Sequence, residues 1–134
     1  MPHLQFEINK KLDKELKISF MSFVEKSFSE IMQTGTDHIA VTLRELDKNS
    51  LSLGRVNRKE PICLMNFDIR SGRTSEQQLK LIKTLIIGVQ ETFGIRKTNQ
   101  YVTVTNHSGN EFNFFEKSLS DWVKNDNPTN KSDN

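Results

Sequence analysis

Two prolines 59 positions apart, Pro2 and Pro61, each stand before a short apolar segment, and each segment leads into helical spacing and then a second strand pattern. This internal repetition limits the available folds more than any other feature. In the first half, Leu4, Phe6 and Ile8 alternate with His3, Gln5 and Glu7, as in a half-buried strand. Asp13 is placed to cap a helix. Leu16, Phe20, Phe23, Val24, Phe28, Ile31 and Met32 recur at helical spacing through residues 14–33. Thr34-Gly35 predicts the helix end, and residues 38–46 (HIAVTLREL) predict a second strand. In the second half, residues 62–69 (ICLMNFDI) predict a third strand. Thr74 with Gln77 matches a capping box. The helix it opens has Leu79, Ile82, Leu85, Ile86, Val89 and Phe93 on its apolar face. Gly94 ends it, again 59 positions after Gly35, and residues 101–105 (YVTVT) predict a fourth strand.

Each half therefore reads as a βαβ unit. Such crossovers are right-handed, which puts both helices on one face of one sheet. The predicted class is α+β, with two βαβ units forming a four-stranded mixed sheet under two helices. The segment ICLMNF carries apolar side chains in both phases, as expected of a strand buried on both faces. The second face then needs cover from other copies of the chain, in a closed homo-oligomer.

With 134 residues the chain makes one domain, expected over residues 1–122 with halves 2–59 and 61–122. Residues 47–60 are polar, with a small hairpin predicted at Leu51–Gly54, and three Phe in residues 111–118 predict a closing hairpin. The last stretch, residues 123–134, has almost nothing to bury and reads as a disordered tail. A net charge of +2 is too mild for a nucleic-acid partner. No apolar run approaches the ~18 residues of a membrane span, and no signal-like segment opens the chain. The lone Cys63 has no partner for an internal disulfide, and no Cys/His group has zinc spacing, so neither metal nor cofactor is expected. These features fit the cytoplasm.

Several residues carry chemistry. An initiator Met before Pro is normally trimmed, which would leave Pro2 with a free secondary amine. In an apolar, cation-lined pocket the protonated amine is disfavoured, and a neutral amine serves as a general base or nucleophile. The alternative is that Pro2 merely begins a strand, where a missing N–H is tolerated. Arg70 and Arg73 flank Gly72 just before a capped helix. Guanidinium groups match a carboxylate, and the helix start adds free N–H donors; a solvated turn is the alternative. Asp37 and His38 stand at the entry of the second strand, as turn and strand-entry residues or as site residues. Arg44, outward on that strand, reaches a neighbouring subunit's pocket or forms a cross-strand ion pair. Phe112, Phe114 and Phe115 wall a pocket or fill a hairpin core.

Four segments resemble the tautomerase superfamily: Met1-Pro2-His3, TGTDHIAV (34–41), EPICLMNFDI (60–69) and RSGRTSEQ (70–77). The second and third look like their counterparts in the macrophage migration inhibitory factor subgroup, the fourth like the turn of the cis-3-chloroacrylic acid dehalogenase subgroup. The resemblance covers residues 2–122 and implies a homotrimer with pockets at subunit boundaries. It implies a catalytic Pro2, a carboxylate held by Arg70 and Arg73, and an active-site role for Asn110. It further implies an acid or base at Asp37, as in malonate semialdehyde decarboxylase, and a water-activating carboxylate at Glu116. Where the dehalogenase has a helix-borne His this chain has Glu30, and where it has a pocket Tyr this chain has Val104. The inhibitory factor's pocket Lys is replaced by Thr36, and no Cys-x-x-Cys is present. The expected function is keto–enol tautomerisation of a 2-oxo acid of the phenylpyruvate type. The alternatives are decarboxylation, hydration or dehalogenation of a small three-carbon acid, or a non-catalytic oligomeric binding module.

Overall fold

The structure is a computed structural model and describes residues 2–118. Met1 and the expected tail at 123–134 lie outside the described residues. The elements run β1 (Pro2–Ile8), α1 (Lys14–Met32), β2 (Ala40–Glu45), β3 (Cys63–Arg70), α2 (Ser75–Phe93) and β4 (Gln100–His107). The four strands form one mixed sheet in the order β2-β1-β3-β4. β1 pairs in parallel with β2, β3 in parallel with β4, and β1 antiparallel with β3.

The repeat seen in the sequence is kept in the register. His3 faces Ala40 and Cys63 faces Gln100, so each parallel pair joins residues 37 positions apart. The antiparallel pairing runs from Pro2 against Ile69 to Ile8 against Cys63, which places the two halves about a local two-fold axis. The ends of the helices are offset by two further residues. Asp13 and Thr74 cap the starts, and Gln33 and Gly94, both left-handed, cap the ends. The expected stop at Gly35 is thereby corrected: α1 ends two residues earlier, on Gln33 at φ 55°. The Gln33 N–H donates to the Ser29 carbonyl, which satisfies a terminal acceptor as a glycine cap would.

The helices cover one face of the sheet. Leu4, Phe6 and Ile8 from β1 and Met65, Phe67 and Ile69 from β3 point into this layer, against Phe20, Val24 and Phe28 of α1 and Leu81, Leu85 and Val89 of α2. Phe20 anchors the layer: its ring sits edge-on to Phe6 at 5.1 Å and tilted on Phe93 at 5.1 Å. Where the helices meet, Gly88 leaves room for the ring of Phe23. Leu16 and Leu79, expected on the buried faces, are 41% and 51% exposed. Each lies in the opening turns of its helix.

Within a single chain β3 is buried on one face, and the cover expected for its other face is that of further copies of the chain. Its burial alternates, with Cys63, Met65, Phe67 and Ile69 inside and Leu64, Asn66, Asp68 and Arg70 half-buried on the other face. The antiparallel pairing with β1 fixes this phase, because both strands must turn their apolar set to the helices. The opposite face is laced with side-chain hydrogen bonds. Gln5 Nε2 and Asn66 Nδ2 each donate to Asp68 Oδ2 at 3.1 Å, and Thr103 Oγ1 donates to Asn66 Oδ1 at 2.9 Å. His3 Nε2 and Thr42 Oγ1 are 2.7 Å apart.

The linker between β2 and β3 contains a 3-10 turn at Lys48–Ser50 and further turns, and the expected hairpin at 51–54 does not form. After β4, a 3-10 turn at Gly109–Glu111 precedes a tight reversal closed by one bridge, Asn113 with Ser118. This is a reduced version of the expected closing hairpin. No helix among the described residues is long and apolar enough to cross a membrane.

Candidate active site

The topology brings one set of strand ends together. Because β1 runs against β3, the start of β1 lies beside the end of β3, and the parallel partners add the start of β2 and the end of β4. Pro2, buried, pairs with Ile69, and Arg70 follows one position on. Arg70 itself pairs with His107. Ala40 pairs with His3, so the loop carrying Asp37 and His38 enters at the same end.

Beyond Arg70 the chain turns at Gly72, whose φ of 109° is one that a Cβ would strain. That turn carries Arg73 to the mouth of α2, where Thr74 Oγ1 accepts from Gln77 N and Gln77 Oε1 from Thr74 N, both at 3.0 Å. The capping box fixes the helix start directly behind the two arginines. Arg70 and Arg73 are both half-buried, and Nε of Arg73 is shielded from solvent.

His38 is the most strongly perturbed group at this end. It is 5% exposed, and its Nε2 lies 3.0 Å from Thr34 Oγ1. Thr34 is fixed in turn, its N–H donating to Ser29 O at 3.1 Å while its carbonyl accepts from Ser29 Oγ at 2.5 Å. Burial first, then the amino-terminal charge, Lys117, Arg73 and Arg70, hold the imidazole down at about 3, well below its ordinary value. A neutral histidine thus sits within the field of four positive groups. Lys117 was missed in the sequence, where nothing distinguishes it from other surface lysines; it is brought here by the reversal after β4. His38 had a local signal in Thr34, four residues earlier.

The remaining candidates divide. Asp37 is half-buried in the same loop. Asn110 and Glu116 are exposed on the segment that follows β4, and the Asn110 carbonyl accepts from Asn113 Nδ2 at 3.0 Å. Arg44 lies apart from Pro2 within the chain. It pairs with Glu7, five positions along β1, or roughly 16 Å away at ~3.3 Å per residue. There its guanidinium is 3.6 Å from Glu7 Oε2 and 3.5 Å from Gln5 Oε1, the cross-strand ion pair. Phe112 packs edge-on to His107 at 5.3 Å, whereas Phe115 is fully exposed. Glu30 and Thr36 line a shallow cavity of about 340 Å³ beside α1. Val104 packs partly buried against the core.

No protein-family model matches the sequence, and no curated protein matches it. Solved structures do resemble it. Toxoplasma gondii macrophage migration inhibitory factor has a TM-score of 0.75 at 16% identity, over 87% of this chain and 98% of that one. Pt0534, inactivated by 2-oxo-3-pentynoate, has 0.76 at 21%, over 88% and 95%. N1, a member of the cis-3-chloroacrylic acid dehalogenase family, has 0.76 at 18%, over 98% and 88%. The chain therefore has the tautomerase-superfamily fold, with Pro2 opening its first strand.

Proposed function

We propose that the protein is an enzyme that interconverts the keto and enol forms of a 2-oxo acid of the phenylpyruvate type. The observation that carries this reading is the strand register, which sets Pro2 against Ile69 and next to Arg70, at the end where Arg73 and Lys117 also converge. Removal of Met1 would free the Pro2 nitrogen. Burial and surrounding positive charge both favour its neutral form. Arg70 and Arg73 would hold the substrate carboxylate. The Pro2 amine would take a proton from the carbon next to the keto group, and the electron pair of that C–H bond would form the enolate. Asn110 or a backbone N–H would stabilise the enolate oxygen, and Pro2 would return the proton to that oxygen. A homotrimer, covering the polar face of the sheet, would allow Arg44 to reach a neighbouring subunit's pocket. Pt0534 supports the substrate class, since 2-oxo-3-pentynoate, the compound that inactivates it, is itself a 2-oxo acid.

A second reading has one specific support, the fit of the cis-3-chloroacrylic acid dehalogenase family member over nearly the whole chain. In it, Asp37 or Glu116 acts as a second acid or base on a small three-carbon acid.

Labelling with bromopyruvate, followed by peptide mapping, tests the first reading. Modification is expected at Pro2 in protein lacking Met1, lost in Pro2→Ala and weakened in Arg70→Ala and Arg73→Ala. Pro2→Ala should also lower tautomerisation of phenylenolpyruvate by roughly 10²–10⁴-fold. Cys63 is a poor competitor, because burial and then Glu7 push its thiol pKa up. Modification confined to Cys63, or full activity in Pro2→Ala, would overturn the reading.

A further inference from the structure

The two-fold repeat gives the candidate site a counterpart at the opposite end of the sheet. Moved by the 59-residue offset, the pair Pro2 and Ile69 becomes Pro61 and Lys10, which the same antiparallel register sets side by side beyond Ile8 and Cys63. At this place the structure has a cavity of about 760 Å³, lined in part by Lys10, Lys11, Leu46, Lys48, Pro61 and Gly94. Part of the lining repeats the first end. At the 59-residue offset Pro61 stands for Pro2, Lys11 for Arg70 and Lys48 for His107, while Gly94 is the left-handed helix cap that corresponds to Gln33, two positions further along the repeat.

Charge and shape agree with the repeat. Lys10 Nζ donates to the Phe93 carbonyl at 2.6 Å, and Lys48 Nζ donates to the Lys59 carbonyl. Each ammonium is thus held in place, with donors to spare. Two carboxylates share the lining, but each is engaged. Glu45 Oε1 accepts from Leu12 N at 3.0 Å and lies 3.6 Å from Lys17, while Asp47 Oδ2 accepts from Asn49 N at 3.3 Å. Leu46 and Pro61 supply an apolar wall. The nitrogen of Pro61 is a chain amide, with no basic lone pair to move a proton. We infer that this cavity is a second, non-catalytic site for a small organic carboxylate, built by the duplicated half of the fold. It draws only on the cavity and the repeat, and so stands whether or not Pro2 is catalytic.

Phenylacetate, which has a carboxylate and an apolar body but no keto group, is a suitable probe. Titrated into the ¹⁵N-labelled chain, it should shift the amides of Lys10, Leu46 and Gly94 saturably. Lys11→Glu should weaken that affinity by about fivefold, and Lys10→Met should weaken it as well, with each variant's spectrum showing that it is folded. Arg73→Ala, at the other end, should leave these shifts unchanged. The absence of saturable shifts at those amides, or shifts that survive both lysine changes, would overturn the inference. Loss of activity in Pro2→Ala bears on the first site alone, so the two readings fail separately.

Discussion

Nε2 of His107 lies 2.9 Å from Oδ1 of Asp68, and this contact ties the end of β4 to β3 beside the candidate site. The same imidazole has Nδ1 3.5 Å from Glu111 Oε2, in the 3-10 turn that starts the closing segment. The hydrogen bond to Asp68, then that to Glu111 and the charges of both, raise the His107 pKa against a smaller opposing effect of burial. A raised folded-state value means that the folded chain holds the proton more tightly than the unfolded one. Its contribution is fully present below the ordinary histidine value of ~6.5 and is lost as pH rises through the folded value. His107→Gln should therefore lower the melting temperature most near pH ~5.5, with the gap to wild type closing towards pH ~8.5. Thermal melts by circular dichroism across that range check it. A gap that does not change with pH would remove the ion pair from the explanation.

His38 has the opposite sign. Its folded value of about 3 lies below the ordinary one, so the unfolded chain binds a proton that the folded chain refuses. Stability should fall as pH drops from ~6.5 towards 3, and His38→Gln should flatten that acid limb. In the folded protein the His38 ring carbons should keep neutral-imidazole NMR shifts down to about pH 4. An imidazole that titrates near ~6.5 would contradict the placement of His38 within the cationic end.

The sequence made the sheet and both helices legible because their periods are clean: Leu4, Phe6 and Ile8 alternate, and Thr74 with Gln77 marks a helix start that the structure keeps. That Pro2 and Arg70 belong to one end was implied only by the superfamily resemblance, because the repeat and the crossover rule set the helices on one face but leave the pairing of β1 with β3 open. Other features were not legible. The cap on Gln33 carries no residue signal, because any side chain adopts the left-handed region there at a modest cost. The phase of β3 was hidden by Leu64, an apolar residue on the polar face. Lys117 reaches His38 only through the reversal at residues 112–118, a long-range fact that no local pattern encodes.

The contact between the helices predicts a coupled pair of substitutions. A Cβ at Gly88 would lie 2.2 Å from Cε2 and 2.7 Å from Cζ of Phe23, so Gly88→Ala must displace that ring. Overpacking costs typically ~1–3 kcal/mol, against a helix-propensity gain of up to ~1 kcal/mol. Gly88→Ala alone should therefore destabilise by about 1 kcal/mol or more. In a Phe23→Leu background the clash is relieved and the propensity gain should emerge, making Gly88→Ala neutral or stabilising. Urea titration of the four proteins measures the coupling. Additive effects would mean that the ring moves aside without cost.

The two helix ends predict a reciprocal effect. Gln33 and Gly94 occupy equivalent left-handed caps, at φ 55° and 71°, and donate their N–H groups to Ser29 and Gln90. A side chain in this conformation costs roughly 1–2 kcal/mol relative to glycine, and glycine returns part of that through the greater freedom of the unfolded chain. Gln33→Gly should thus stabilise the protein by about 0.5 kcal/mol, without loss of packing, because Gln33 is exposed. Gly94→Ala should destabilise by about 1 kcal/mol, and by little more, since its Cβ would meet Lys10 Nζ at an ordinary 3.6 Å. Paired urea titrations of both variants give the two signs. If Gln33→Gly destabilises, the Gln33 side chain contributes to the cap beyond its backbone, and the equivalence of the two ends fails at that position.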